Sequence, residues 1–170
     1  NNTGGYVQLL TGNTVGATAT LAKRCIAPIA YVSPNWEREH WLAVGLDLQS
    51  IDTTNTEIWA IVGAPDAKRH LGFFINNGQV YGTIGDGTAE TRPAAMAYRG
   101  LDGLVAHYAP GKHAEFWALP DDYKALTTGL PTFHEDTAAD RNLMYLSIKT
   151  TEAVAKVLRA GQFSWRQQPA

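Results

Sequence analysis

The sequence predicts an all-β protein: a two-sheet antiparallel β-sandwich of the jelly-roll type with at most one short helix. Turn signals built from Gly, Pro, Asn and Asp recur every eight to fifteen residues along the chain. The runs between them are short and rich in Val, Ile, Tyr, Phe, Trp and Thr, which are the residues that favour strands. Many short strands at regular spacing are typical of a sandwich or a barrel.

The length and composition predict one globular domain covering 1–170, large enough to bury a continuous core. Fourteen basic and sixteen acidic residues leave a net charge of −2, spread along the chain. This balance gives no reason to expect nucleic acid or membrane insertion. Cys25 is the only cysteine, so an internal disulfide and a multi-cysteine metal site are both excluded.

Two early segments have strand character. Residues 15–32 are apolar and β-branched, and Pro28 within them suits the end or edge of a strand. Residues 37–48 alternate, which predicts a strand with one face toward the core. Trp41, Ala43, Gly45 and Asp47 share one face, and Leu42, Val44, Leu46 and Leu48 share the predicted core face.

The stretch 70–92 has four glycines in the ten residues from Gly78 to Gly87, which suggests either a phosphate-binding loop or a hairpin. Its spacing is Gly-x-x-Gly-x-Gly rather than the dinucleotide fingerprint Gly-x-Gly-x-x-Gly, and Pro93 discourages the helix that the fingerprint requires. A Walker loop is also absent, because Gly111-Lys112 is followed by His113. The glycines are therefore interpreted as turns and close approaches within a sheet.

As a hairpin, the same stretch pairs consistently around a two-residue turn of the primed type at Asn77-Gly78. Gly82 is expected to leave room for the ring of Phe73, and residues 85–87 turn the chain toward a further strand through Arg92. The predicted pairs are Ile75 with Val80, Phe74 with Tyr81, Phe73 with Gly82, and Leu71 with Ile84.

Near the C-terminus, 150–161 is the one serious helix candidate, because Val154, Val157 and Leu158 recur at helical spacing. A strand through residues 157–167 alternates equally well. We favour the strand, with a helical turn near Glu152.

Four stretches of the chain resemble a known family: GFFINNGQVYGTIGDGTAET, LVAHYAPGKHAEFWALPDDYKALTTGLP, NLMYLSIKTT and QFSWRQ. Together they are similar to the concanavalin A-like (laminin G, lectin and glucanase) jelly rolls, in particular to those of bacteriophage tail, fibre and head-decoration proteins. The match covers roughly residues 35–168. The resemblance implies two antiparallel sheets packed face to face, one of them concave, with ligands on the concave face or in loops at one edge.

Aromatic residues are the main candidates for a binding site, because a sugar ring has an apolar face that stacks on Trp or Tyr. Turn signals place Trp36 and Tyr123 in or beside loops, where they would be available to a ligand. The flanking polar candidates are Glu37, Arg38, Asp121 and Asp122. Four other tryptophans lie within strand patterns and are expected to pack: Trp41, Trp59, Trp117 and Trp165.

The sequence gives no catalytic signature. The glucanases of the resembled family carry an acidic strand motif, whereas Glu115 has no acidic residue two or five positions further on. His113 and Glu115 share a strand face and residues 134–136 read His-Glu-Asp, but both groups are interpreted as solvated rather than metal-binding. Calcium ligands would have to come from Asp121, Asp122, Asp136, Asp140 or Asn142, and no loop pattern selects among them. We therefore expect no enzyme, no metal and no cofactor.

The expected function is that of a lectin-like module on the surface of a phage or phage-like virion, binding a host glycan or receptor. The alternative is a structural decoration or fibre domain that contacts other virion proteins or its own copies. By analogy with phage fibres the oligomer would be a trimer, with Phe74 and Tyr81 supplying the contact. A glycoside hydrolase of the same fold ranks third.

Overall fold

The structure is a computed structural model that describes residues 7–24, 34–48, 52–65, 69–96, 103–119, 123–130 and 142–169. Within these ranges the chain forms twelve strands and no helix, as the sequence predicts. None of the described segments is a helix that could cross a membrane. The strands are β1 Val7–Leu10, β2 Thr18–Arg24, β3 His40–Leu46, β4 Thr56–Gly63, β5 His70–Asn76, β6 Gln79–Gly85, β7 Glu90–Thr91, β8 Leu104–Ala109, β9 His113–Ala118, β10 Tyr123–Thr128, β11 Asn142–Thr150 and β12 Val157–Gln167.

The described strands make two antiparallel six-stranded sheets. Sheet I has the order β1-β12-β3-β8-β9-β10, and sheet II has the order β2-β11-β4-β5-β6-β7. The two sheets pack through their apolar faces, which is the arrangement of a β-sandwich. Each sheet consequently has one inner face toward the core and one outer face directed away from it.

The core is built from alternating residues of both sheets. Leu42, Val44 and Leu46 of β3 are each 1% exposed, which confirms the predicted inward face of residues 37–48. From sheet II, β5 buries Phe73 and Ile75 completely. The predicted strand in 15–32 is present as β2, while Pro28 and Cys25 lie outside the described residues.

The hairpin predicted from 70–92 is confirmed in turn and register. Asn77 and Gly78 have φ values of 48° and 76°, which fits a primed two-residue turn. The pairs Ile75 with Val80, Phe74 with Tyr81, Phe73 with Gly82, and Leu71 with Ile84 are those expected. The next turn is closed by the Asp86 carboxylate, which accepts hydrogen bonds from the backbone N–H groups of Thr88 and Ala89. This glycine-rich stretch is therefore part of the sheet.

Gly82 leaves room for a different ring from the one expected. A Cβ at this position would lie 2.1 Å from Cγ of Phe116, which belongs to β9 of sheet I. The rings of Phe73 and Phe116 meet edge to face at 5.9 Å. The absence of a side chain at Gly82 therefore allows the two sheets to come into contact. The prediction that Gly82 accommodates the ring of Phe73 is wrong, because Phe116 of the other sheet occupies that space.

The favoured strand near the C-terminus is confirmed, because β12 covers residues 157–167 and the segment before it is a bend. Lys156 anchors that bend, since its backbone N–H donates to the Thr11 hydroxyl and its ammonium group pairs with Asp52 and Glu152. The side chain of Lys156 is only 2% exposed. These contacts replace the helical turn expected near Glu152.

Candidate functional site

The outer face of sheet I carries a row of functional side chains set by strand register. Trp41 of β3 pairs with Arg166 on one side and with His107 of β8 on the other. His107 in turn pairs with Glu115 of β9. Cross-strand partners share a face of the sheet, and Leu42 and Phe116, the immediate neighbours of two of these residues, point into the core. The row therefore lies on the face directed away from the core.

Two indole rings dominate this face. The rings of Trp41 and Trp117 have centroids 6.1 Å apart and planes 6° from parallel, and we call them the indole pair. The imidazole of His107 stacks on Trp41 at 4.1 Å. Both tryptophans are partly exposed. The pair is thus a stack of two aromatic rings that solvent can partly reach.

Polar groups surround the indole pair. The Arg166 guanidinium lies 5.7 Å from the ring centroid of Trp41, and these two residues line both shallow grooves described on this face. Oε2 of Glu39 lies 3.8 Å from Nε2 of His107 and accepts a hydrogen bond from Gln168. The face therefore combines a stacking surface with both donors and acceptors.

His107 is a largely buried polar residue of this face, since only 11% of its side chain is exposed. Burial lowers its pKa, and the nearby His113 also lowers it, whereas the charge of Glu39 raises it. Its Nε2 atom is buried and has no hydrogen-bond partner among the described residues. The imidazole is therefore favoured in its neutral form, with one nitrogen directed at the polar groups of the face.

His107, His113 and Glu115 form a compact group that we call the His-His-Glu cluster. One ligand atom from each lies within 4.8 Å of the other two. Chemically, such a group can move a proton or ligate a metal ion.

The structure corrects the expected exposure of Trp36. Its side chain is 1% exposed, because the ring packs against His40 at 4.7 Å and Tyr108 at 6.1 Å. The tryptophan thus closes the sandwich core instead of offering its ring to a ligand. Arg38 follows in the same turn, where its backbone N–H donates to the Asn35 carbonyl.

Among the described residues, Tyr123 is not brought together with Trp36. Tyr123 is the first residue of β10, and two strands, β8 and β9, separate β10 from β3 in sheet I. Asp121 and Asp122 lie outside the described residues, as do Asp136 and Asp140 among the calcium candidates. Asn142 begins β11 in the other sheet.

The expected packing role of the other tryptophans is confirmed only in part. Trp165 faces inward and packs against the core. Trp41 and Trp117 face outward, and that expectation is wrong for them. The signal for Trp41 was present in the sequence, because the alternation of residues 37–48 already placed it opposite the core leucines.

On the outer face of sheet II, Arg92 covers the neighbouring aromatic rings. The Arg92 guanidinium lies 3.7 Å from the ring centroid of Phe74 and 5.2 Å from that of Trp59, and Glu90 binds the same guanidinium. Phe74 is therefore only 5% exposed. The expected oligomer contact through Phe74 and Tyr81 is not supported, because Arg92 already covers the first of these rings.

Several solved structures are similar to this chain in fold. A protein of unknown function from Shewanella oneidensis MR-1, SO2946, superposes with a TM-score of 0.62 at 13% identity, covering 100% of this chain and 74% of that one. Alginate lyase A1-II′ of polysaccharide lyase family 7 gives 0.60 at 12% identity, with coverage of 99% and 82%. The exoplasmic/lumenal domain of VIP36, in a Ca²⁺/Man3GlcNAc-bound form, gives 0.52 at 12%, with coverage of 97% and 79%.

No protein-family model matches the sequence, and no curated protein matches it. At identities of 12 to 13% the structural likeness shows the fold alone. The fold resemblance predicted from the sequence is confirmed at the level of the jelly roll, and none of these proteins is a phage protein by its description.

The expectation that the protein is not an enzyme is overturned. A polysaccharide lyase is among its structural neighbours, so the fold gives no ground for excluding catalysis. A pattern of acidic residues along a single strand does not reveal His107 beside Glu115, because these residues meet only through the pairing of two strands.

Proposed function

We propose that the protein binds a glycan chain across the outer face of sheet I, over the indole pair. The observation that carries this proposal is the presence of two partly exposed indole rings, with centroids 6.1 Å apart and planes nearly parallel, on the outer face of the sheet. Sugar rings stack their apolar faces on such surfaces, and a rigid aromatic contact loses little side-chain entropy on binding. The proposed site lies on the outer face of the sheet, away from the positions of Trp36 and Tyr123 that the sequence suggested.

The polar groups beside the indole pair suit the hydroxyl groups of a sugar. Glu39 offers carboxylate oxygens, Gln168 an amide, and Arg166 a guanidinium that also matches a sugar carboxylate. Two structural neighbours support carbohydrate as the ligand class: an alginate lyase solved with its product, and VIP36 solved with Man3GlcNAc.

Trp41→Ala and Trp117→Ala are each expected to weaken glycan binding at least about tenfold, because aromatic anchors at the centre of a contact contribute most of its free energy. Titration calorimetry with alginate, mannose-containing and laminarin oligosaccharides measures this. Tyr81→Ala is the matched control, since Tyr81 is a partly exposed aromatic on the opposite sheet. Unchanged affinity in both tryptophan variants would contradict the proposed site, and no binding of any of these probes would contradict the proposed function.

Cleavage of the bound glycan is the second candidate function. It is favoured by one observation: Nε2 of His107 is buried, has no hydrogen-bond partner among the described residues, and faces the carboxylate of Glu39 at 3.8 Å. A neutral imidazole next to a carboxylate can accept a proton from a substrate. Appearance of reducing or unsaturated ends from the same polysaccharides, lost in His107→Gln, is the expected result; intact polymer after prolonged incubation would remove this candidate.

Three finer predictions come from the sequence resemblance to phage modules: a place on a virion surface, contacts with virion proteins, and a trimeric state. The glycan-binding proposal does not depend on them. Sedimentation velocity tests the trimer directly, and a monomer at all concentrations would count against an assembly role.

A further inference from the structure

We propose that the His-His-Glu cluster on the outer face of sheet I is a binding site for a first-row divalent transition metal, of which Zn²⁺ is the best match. The ligands are one imidazole nitrogen each from His107 and His113 and one carboxylate oxygen from Glu115. All three atoms lie within 4.8 Å of one another. Ligand atoms around a tetrahedral zinc at about 2.1 Å are roughly 3.4 Å apart. Binding of the ion would therefore draw the three atoms closer by up to about 1.4 Å.

The backbone fixes the three residues on one side of the sheet. His107 and Glu115 are direct cross-strand partners in the β8–β9 pair. His113 precedes Glu115 by two residues on β9 and therefore shares its face. The hairpin joining the two strands is short, with the Lys112 N–H donating to the Ala109 carbonyl, and the two imidazole centroids are 5.7 Å apart. The ligand positions are thus set by strand register rather than by a long loop.

His107 supplies a second, independent observation. Its Nε2 atom is buried without a hydrogen-bond partner among the described residues, and a buried polar atom in that condition is costly unless something else binds it. The ring is held in place by stacking on Trp41 at 4.1 Å. A metal ion bound through Nε2 would satisfy this nitrogen.

The donor set selects the kind of ion. Two imidazoles and one carboxylate suit zinc and its first-row neighbours, whereas Ca²⁺ takes six to eight oxygen ligands. Glu39 lies near enough to act as an outer partner, with its Oε2 atom 3.8 Å from Nε2 of His107. Gln168 holds that carboxylate by a hydrogen bond.

The test is a Zn²⁺ titration of metal-free protein, followed by calorimetry and by competition with a chromophoric chelator. One ion per chain is expected. Loss of even an outer partner weakens metal sites by about 10–100-fold, so His113→Gln and Glu115→Gln should each weaken binding at least about tenfold. Both positions are partly exposed, which favours retention of the fold. Glu57→Gln, on a partly exposed strand position of sheet II, is the matched control.

Histidine ring NMR spectra assign the site independently of the variants. Zn²⁺ should shift the ring signals of His107 and His113 and leave those of His40 and His70 in place, because the latter two are fully buried. Absence of binding at millimolar Zn²⁺, equal binding by the cluster variants and the control, or shifts at other histidines would each overturn the proposal. The titration contains no glycan, so its outcome is separate from that of the glycan proposal.

Discussion

Gly82→Ala is expected to destabilise the protein by about 3 kcal/mol, at the upper end of the cost of overpacking a core. The added Cβ would lie 2.1 Å from Cγ of Phe116, far inside van der Waals contact. Phe116 is completely buried, so its ring has no space into which to retreat. The backbone at Gly82 has no positive φ, and the effect is therefore steric. Denaturant unfolding monitored by circular dichroism measures it.

Two further variants separate packing from a general effect of replacing glycine. Gly161→Ala is the control, because a Cβ there meets no atom within 4 Å. Phe116→Leu should relieve the clash, so that the double variant is more stable than the sum of the single effects predicts. Gly82→Ala unfolding like Gly161→Ala would contradict the packing of the two sheets through Phe116.

The stability of the protein is expected to fall by roughly 3 kcal/mol as the pH decreases from 6.5 to 4, through the titration of His40. This imidazole is 0% exposed, and burial lowers its pKa from 6.5 to about 4. Its Nε2 donates to the Asn35 carbonyl at 2.8 Å, and its Nδ1 accepts from the Trp165 indole at 3.0 Å. A second proton on the ring would face the indole N–H with no acceptor.

The sign follows from which state binds the proton. Between pH 4 and 6.5 the unfolded chain protonates His40 whereas the native protein does not, so acidification favours unfolding. The contribution is complete above pH 6.5 and disappears as the pH falls toward 4. The Asp52 carboxylate titrates in a separate, lower window, because its hydrogen bond with Lys156 lowers its pKa to about 2.

His40→Gln isolates the effect, because glutamine can still supply one donor and one acceptor but does not titrate. The free energy of unfolding of this variant should depend less steeply on pH than that of the wild type between pH 6.5 and 4. Parallel curves for the two proteins would show that His40 is not the residue responsible.

Local pattern was sufficient for much of the fold. The turn at Asn77-Gly78 determines the β5–β6 register, because a two-residue loop leaves no freedom in the pairing. The alternation in residues 37–48 likewise identified the inward leucines. Contacts between the two sheets were not predicted correctly. Gly82 faces Phe116 of the other sheet, and no local sequence rule links residues so far apart in the chain.

The candidate site was harder to predict, for the same reason. His113 and Glu115 share a strand face, which their spacing shows, but His107 joins them only through the β8–β9 pairing. Trp36 illustrates the opposite error, since turn signals around it suggested exposure and the ring instead packs on His40 and Tyr108. A loop tryptophan can close a sandwich end, and sequence patterns do not distinguish that role from ligand binding.

The indole N–H signals of the five tryptophans give the most direct test of glycan binding on sheet I. In isotope-labelled protein titrated with a glycan that binds, the signals of Trp41 and Trp117 should move together and saturate at the same concentration. The signals of the other three tryptophans should not move. Trp36 lies in the core, Trp165 packs against the core, and Trp59 lies under Arg92. Saturable shifts at Trp59 or Trp36, with Trp41 and Trp117 unmoved, would contradict binding over the indole pair.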